Sequence, residues 1–272
     1  MRRLDAVLLL AVSMFAAFVG AQIFRASSAR AAVHKKPLMV AGAPVAPREP
    51  FVPPQPTVIG SDSSELKTTI VSSALPAPVR DEADIRSRIA AVASGTYMSD
   101  MLDDLNGSLV RWPDRPGQPL RVWVQRQSDV PDWQAANTQT AESAFADWQH
   151  SGFPLRFDFV LDSTTADIRV LWTDRFPAEA GQRVGSTQRT SDQHGWIAAA
   201  QILVAVHDSV GTVIPPAALA GIVRHEAGHA LGLGHSRDEK TKMFPTEMVH
   251  DIAPADRMTL RLLYSIPPGP LK

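Results

Sequence analysis

HEAGHALGLGH, residues 225–235, places three histidines and one glutamate within a single short stretch. On a helix, His225 and His229 are i and i+4, so their imidazoles share one face with Cβ atoms about 5–6 Å apart. That separation allows both rings to bind one zinc ion. Glu226 is turned by about 100° from His225 and suits a group that contacts a metal-polarised water without ligating the metal.

A third imidazole completes the predicted metal site. A straight helix would carry His235 about 9 Å further along the axis than His229. Gly232 tolerates a positive φ, so it can end the helix and turn the chain back. The metal ligands are therefore predicted to be His225, His229 and His235, around one catalytic Zn²⁺ with an open coordination position.

This residue set predicts hydrolysis of peptide bonds. Zinc lowers the pKa of a bound water from 15.7 to about 7, so Glu226 can accept its proton as general base. The same residue can then protonate the leaving amine, and the metal can stabilise the oxyanion. We therefore expect a zinc metalloendopeptidase that acts on protein or peptide substrates. A catalytically silent zinc-bound peptide-binding or scaffold protein at the cell envelope is the alternative, because a motif indicates ligands more directly than turnover.

The composition limits other functions. The chain has 272 residues and no cysteine, which excludes disulfides, thiolate zinc ligands and a cysteine nucleophile. Its net charge is −1, so no basic excess points to nucleic acid as a partner. The oligomeric state is not indicated by the sequence.

The N-terminus predicts export. Arg2 and Arg3 precede an apolar run over residues 6–24 that ends at Arg25. Residues 1–25 are thus a signal peptide or a membrane anchor, since small residues near Gly20 suit cleavage while the run approaches the roughly 20 residues that span a bilayer. In both cases the remainder is extracytoplasmic: secreted or periplasmic after cleavage, or anchored through this segment, which is the only expected membrane contact.

Composition and periodicity divide the rest of the chain into three parts. Residues 26–78 are a Pro/Ala-rich linker or pro-segment, and residues 79–110 are a helical pro-region or N-terminal extension, broken near Gly95. Residues 111–272 form the predicted peptidase domain. Its predicted strands cover residues 120–124, 155–161, 168–172 and 195–206, its helices residues 131–150, 215–232 and 254–264, and a loop residues 183–192.

Over roughly residues 111–264 the chain resembles the matrixin branch of the metzincins, the matrix-metalloprotease-like zinc proteases. HEAGHALGLGH fits the family pattern HExxHxxGxxH at every defining position. The resemblance implies zinc ligation by the three histidines of this pattern and base catalysis by Glu226. It also implies that Met243, in Lys-Met-Phe-Pro, is the Met-turn residue that lies under the metal-binding imidazoles.

The resemblance further implies an α+β fold: a twisted five-stranded mixed sheet, two long helices, an active-site cleft and a small C-terminal subdomain with a third helix. In such a fold an extended substrate pairs with an edge strand, which we map to residues 195–201. Gly195 and Ile197 are then candidate substrate contacts, while Phe244 and Pro245 are candidates for lining the primary specificity pocket.

Two family features are not found in the sequence. Without cysteine there is no cysteine switch, so residues 25–105 could inhibit only through another ligand or by steric cover. Between residues 172 and 207 the only histidines are His194 and His207, and no second, structural zinc is expected. Calcium is possible, but nothing in the sequence supports it.

Overall fold

The computed structural model describes residues 66–72, 75–246 and 251–271. All of them belong to one compact unit. The predicted signal peptide or anchor at residues 1–25 lies outside the described residues, as does most of the predicted linker at residues 26–78. No helix in the described part of the chain has the length and apolar character that a bilayer crossing requires.

The main sheet has six strands in the order β1-β6-β7-β5-β3-β4, and a short antiparallel pair, β2 and β8, lies outside it. Neighbouring strands of the main sheet are parallel except β6 and β7, which are antiparallel, so the sheet is mixed. The strands are β1 (Leu66–Val71), β2 (Ser108–Leu109), β3 (Leu120–Val124), β4 (Phe157–Phe159), β5 (Ile168–Thr173), β6 (Gly185–Asp192), β7 (Ile197–Ala205) and β8 (Gly269–Pro270).

Five α-helices accompany the sheet among the described residues, and the predicted α+β fold class is confirmed. The helices are α1 (Glu82–Ala91), α2 (Met98–Asp104), α3 (Ala135–His150), α4 (Pro216–Ala230) and α5 (Pro254–Ser265). Helices α3 and α4 pack against each other. From α3, Phe145 and Trp148 are fully buried in the core, where burial of one such side chain stabilises the fold by about 2–3 kcal/mol.

Helix α4 ends in the turn that places the third histidine. Gly232 has φ 110°, its N–H donates to the carbonyl of His229 at 3.0 Å, and Leu233 N–H donates to the carbonyl of Gly228 at 3.0 Å. This pair of bonds is the Schellman motif, which needs a left-handed residue. A side chain at Gly232 would also collide with the carbonyl oxygen of Val110. The helix-ending role predicted for Gly232 is confirmed.

The loop predicted at residues 183–192 is wrong from residue 185 onward, because Gly185–Asp192 form β6. The prediction failed because the strand lacks the alternating apolar side chains that indicate a sheet. Its inward positions are instead buried polar residues, Thr187, Arg189 and Ser191. Thr187 and Arg189 hydrogen-bond to α4 and the turn after it, so this face is polar where an ordinary strand is apolar.

The edge strand mapped to residues 195–201 is also wrong. Strand β7 lies between β5 and β6, so neither of its edges is open. Gly195 lies in the turn before β7, and Ile197 is fully buried in the core. The outer edge of β6 pairs instead with β1, from Leu66 opposite Thr187 to Val71 opposite Asp192. Part of the predicted linker is thus a strand of the sheet.

Candidate active site

The structure brings the three predicted ligands together. His225 and His229 project from α4, and His235 follows the turn at Gly232. The ring centroids of His225 and His229 are 4.6 Å apart, those of His229 and His235 4.7 Å, and those of His225 and His235 5.6 Å. One ligand nitrogen from each ring lies within 4.8 Å of the others, and this is the one such cluster among the described residues.

The hydrogen-bond partners of the three rings favour the tautomer that binds a metal ion. In each ring Nδ1 faces an oxygen that can only accept, so Nδ1 carries the proton of the neutral imidazole and Nε2 keeps its lone pair. Zinc binds this tautomer, and oxygen acceptors at the other nitrogen are its usual supports. The donor set therefore fits Zn²⁺. The pairs are His225 Nδ1 with Lys242 O at 2.8 Å, His229 Nδ1 with Leu233 O at 3.0 Å, and His235 Nδ1 with Asp104 Oδ1 at 3.2 Å.

A buried arginine fixes the carbonyl end of α4. The Nη1 group of Arg189 donates to His229 O at 3.0 Å and to Leu233 O at 3.3 Å. A cation at a helix C-terminus is stabilised by the helix dipole. Burial lowers the pKa of Arg189 to about 10, which still leaves the guanidinium charged at neutral pH. The same side chain reaches Thr68 of β1, whose hydroxyl accepts from Nη2 at 3.3 Å.

Asp256 holds the loop that carries Met243. Its Oδ2 accepts from the backbone N–H of Lys242 at 2.8 Å and of Ala253 at 2.7 Å. Burial raises the pKa of Asp256, although these hydrogen bonds oppose the shift. Met243 is fully buried, and a side chain at Gly228 of α4 would collide with its sulfur. Met243, the predicted Met-turn residue, thus packs against α4 at Gly228, the residue before His229.

Glu226 is buried and anchored from β6. Its Oε2 accepts from the hydroxyl of Thr187 at 2.6 Å. Gly185, at the start of the same strand, has no side chain that could collide with Oε1, whereas a Cβ there would do so. Sequence reasoning missed both residues. A glycine within a strand can signal close approach of another group, but this signal is visible only once the strand is known.

Glu226 and His225 are among the residues that line a cavity of about 280 Å³. Of the four candidate substrate contacts, Pro245 lines this cavity, whereas Phe244, Gly195 and Ile197 do not. Gly195 lies close to the backbone of Leu109 and Gly269. The lining residues are Ala180, Gln182, Arg183, Val184, Gly185, Ile222, His225, Glu226, Pro245 and Thr246.

The two histidines considered for a structural metal have other contacts. His207 Nε2 lies 3.0 Å from Asp132 Oδ2, and its Nδ1 lies 2.7 Å from Asp174 Oδ1. Hydrogen bonding to Asp132 is the largest of the effects that raise the pKa of His207. His194 contacts the side chain of Gln193 at 3.2 Å. The imidazole of His207 therefore bridges the carboxylates of Asp132 and Asp174.

Comparison with known protein families agrees with this geometry. The matrixin family model matches residues 122–265, which is more than half of the chain. The matched region begins within β3 and extends to the end of α5, so it contains α4 and the complete histidine motif. Helices α1 and α2 precede it. No curated protein matches the chain.

Proposed function

The chain belongs to the matrixin family of metalloproteases, and on that premise we propose that it is a zinc-dependent endopeptidase with Glu226 as general base. The convergence of His225, His229 and His235 beside this buried carboxylate is the observation that carries the proposal. The three imidazoles would hold the ion through Nε2. When bound, zinc supplies a polarised water and stabilises negative charge on the carbonyl oxygen of the substrate.

The surroundings of Glu226 support its role in proton transfer. The hydroxyl of Thr187 binds Oε2 and so limits rotation of the carboxylate. Oε1 lies next to Gly185, which has no side chain to cover it, and both residues line the cavity. From this position Oε1 would accept a proton from the attacking water and pass it to the leaving nitrogen.

We propose that β6 is the strand along which an extended peptide lies. Backbone pairing with a strand edge is a common way to bind extended peptides, and β6 begins at Gly185, beside the proposed base. A substrate side chain would enter the cavity between Ile222 and Pro245. This position replaces the incorrect mapping to residues 195–201.

Strand β1 competes for the same edge. It pairs with β6 from Thr187 to Asp192, and Thr68 accepts a hydrogen bond from Arg189. A peptide that extends beyond Gly185 along β6 therefore has to displace β1. We propose that the N-terminal segment limits access to the cleft by steric cover, which needs no cysteine.

We also propose that the peptidase acts outside the cytoplasm. The support is the sequence of residues 1–25, with Arg2 and Arg3 before an apolar run. The protein would be secreted, periplasmic or anchored through that segment.

Replacing Glu226 by glutamine tests the proposed mechanism. Glu226→Gln keeps the size of the side chain but removes its basicity, so we expect kcat to fall about 100-fold or more while the zinc content stays unchanged. The measurement is hydrolysis of a mixed peptide library, with and without chelator, alongside metal analysis. Glu239→Gln, at an exposed position in the loop after His235, is the matched control and should retain full activity. A wild-type protein that binds zinc but cleaves no peptide would support the scaffold interpretation instead.

A further inference from the structure

The third ligand is positioned differently from the first two. His225 and His229 belong to α4, whose backbone fixes where their side chains start. His235 lies in the segment that follows the Gly232 turn, which has no helix or strand of its own. Its position therefore depends on contacts from another part of the chain.

That contact comes from Asp104, the last residue of α2. Its Oδ2 accepts the backbone N–H of His235 at 2.8 Å, and its Oδ1 lies 3.2 Å from Nδ1 of the same residue. One carboxylate thus holds both the backbone and the ring of His235. Gly234 permits this approach, because a Cβ there would lie 2.8 Å from Asp104 Oδ2 and 3.0 Å from Met101 Cγ.

Helix α2 is docked by its own side chains as well. Met98 and Met101 are buried in the core shared with α4. Arg237 pairs with Asp103 at 2.9 Å and with Asp100 at 3.5 Å, but both pairs are exposed and contribute little. The packing of α2 therefore depends mainly on the two methionines. Asp104 is not needed for this packing, so its carboxylate can hold His235.

We propose that Asp104 is a positioning residue of the zinc site, which accepts the Nδ1 proton of His235 and aims its Nε2 at the metal. Carboxylates in this position orient metal-binding histidines and raise their basicity. The proposal rests on the zinc site of the proposed function but not on turnover. It also makes α2 part of the proposed metal site, although this helix precedes the region that matches the family. Because α2 is then needed for zinc binding, any segment removed during maturation would have to end before Met98.

Zinc affinity of the full-length protein tests this proposal. Zn²⁺ is titrated against a chromophoric chelator. We expect Asp104→Ala and Asp104→Asn to raise the Kd about 10- to 100-fold, because Ala removes both acceptors and Asn retains only one. Asp104→Glu keeps the carboxylate and should restore part of the affinity.

Two matched variants separate positioning from docking. Asp103→Asn removes the stronger ion pair to Arg237, and Asp100→Ala removes the acceptor of the Arg237 backbone N–H; both changes weaken the docking of α2 and leave the Asp104 carboxylate in place. Both should bind zinc with a Kd within about twofold of wild type. Equal weakening by Asp100→Ala and Asp104→Ala would mean that Asp104 only docks the helix, and the proposal would be wrong.

A spectroscopic measurement examines the ring directly. Long-range ¹H–¹⁵N spectra of the zinc-free protein should show His235 with its proton on Nδ1, and a mixture of tautomers in Asp104→Ala, with His225 and His229 unchanged. An unchanged His235 tautomer with wild-type zinc affinity in both Asp104→Ala and Asp104→Asn would overturn the proposal. If Asp104→Ala does not fold, the isosteric Asp104→Asn decides. A wild-type protein without zinc affinity would refute the proposed function itself, which is a different result.

Discussion

At the scale of single residues, each imidazole of the site is oriented by an oxygen from a different segment. The acceptors are the carbonyl of Lys242, the carbonyl of Leu233 and the carboxylate of Asp104. Two of them are held in turn, Lys242 by Asp256 and Leu233 by Arg189. The arrangement of the three imidazoles therefore depends on long-range contacts as much as on the helix that carries two of them.

Gly185 should be needed for activity rather than for metal binding. In Gly185→Ala the new methyl group meets the carboxylate of Glu226 and displaces it. A displacement of about 1 Å can cost about 100-fold in rate, so we expect a loss of that order in kcat/KM with unchanged zinc content. The measurement is peptide hydrolysis alongside metal analysis. Gln188→Ala, at an exposed position of the same strand, should behave as wild type; full activity of Gly185→Ala would contradict the proposed placement of the base.

The convergence of the three histidines could be predicted from sequence because their geometry is local. The i, i+4 spacing of His225 and His229 and the glycine turn before His235 both act within one short stretch. Their supports could not be predicted. Arg189 and Asp104 lie 40 and 131 residues from the histidines that they contact, and no local pattern marks them.

At the scale of elements, β6 has three roles. One edge pairs with β7, the other pairs with β1, and its inward face binds α4 through Thr187 and Arg189. The polar side chains on this face hydrogen-bond to Glu226 and to the carbonyl of His229. Because they are not apolar, the strand lacks the alternation by which strands are predicted from sequence. Strands with apolar alternation, such as β3 and β5, were predicted at nearly their observed bounds. The sequence thus reveals the strands that build the core better than the strand that builds the cleft.

Removing β1 should increase peptidase activity. A chain without residues 1–72 leaves the outer edge of β6 unpaired, so extended peptides should bind with a lower KM. The measurement compares kcat/KM for a long peptide with that of a chain lacking only residues 1–51, which keeps β1. Equal KM values for the two truncated chains would show that β1 does not limit access.

At the scale of the whole molecule, a buried carboxylate joins segments of the chain that are distant in sequence. Asp167, just before β5, accepts from Arg115 Nη1 and from the backbone N–H of Arg121, both at 2.9 Å. Its side chain is only 2% exposed. Burial acts to raise the pKa of Asp167, but the hydrogen bonds from Arg121 and Arg115 outweigh it and hold the pKa below its ordinary value.

This lowered pKa predicts how stability depends on pH. The folded protein holds the proton of Asp167 less tightly than the unfolded chain, so the carboxylate stabilises the fold above the unfolded pKa of about 3.9. That contribution is lost as the pH falls through the lower, folded pKa. Asp167→Asn should therefore reduce the free energy of unfolding at pH 7 and flatten its decline below pH 5. Urea denaturation at several pH values measures this, with exposed Asp158→Asn as control; parallel curves for Asp167→Asn and wild type would contradict the assignment.

The central claim is that three imidazoles hold one zinc ion, and metal analysis of the purified protein tests it most directly. The structure predicts one zinc per chain, removed by a chelator and regained on addition of Zn²⁺, because His225, His229 and His235 converge in the neutral tautomer that binds it. His229→Ala should lose stoichiometric zinc. Wild-type protein without zinc, or His229→Ala that retains a full equivalent, would contradict the account.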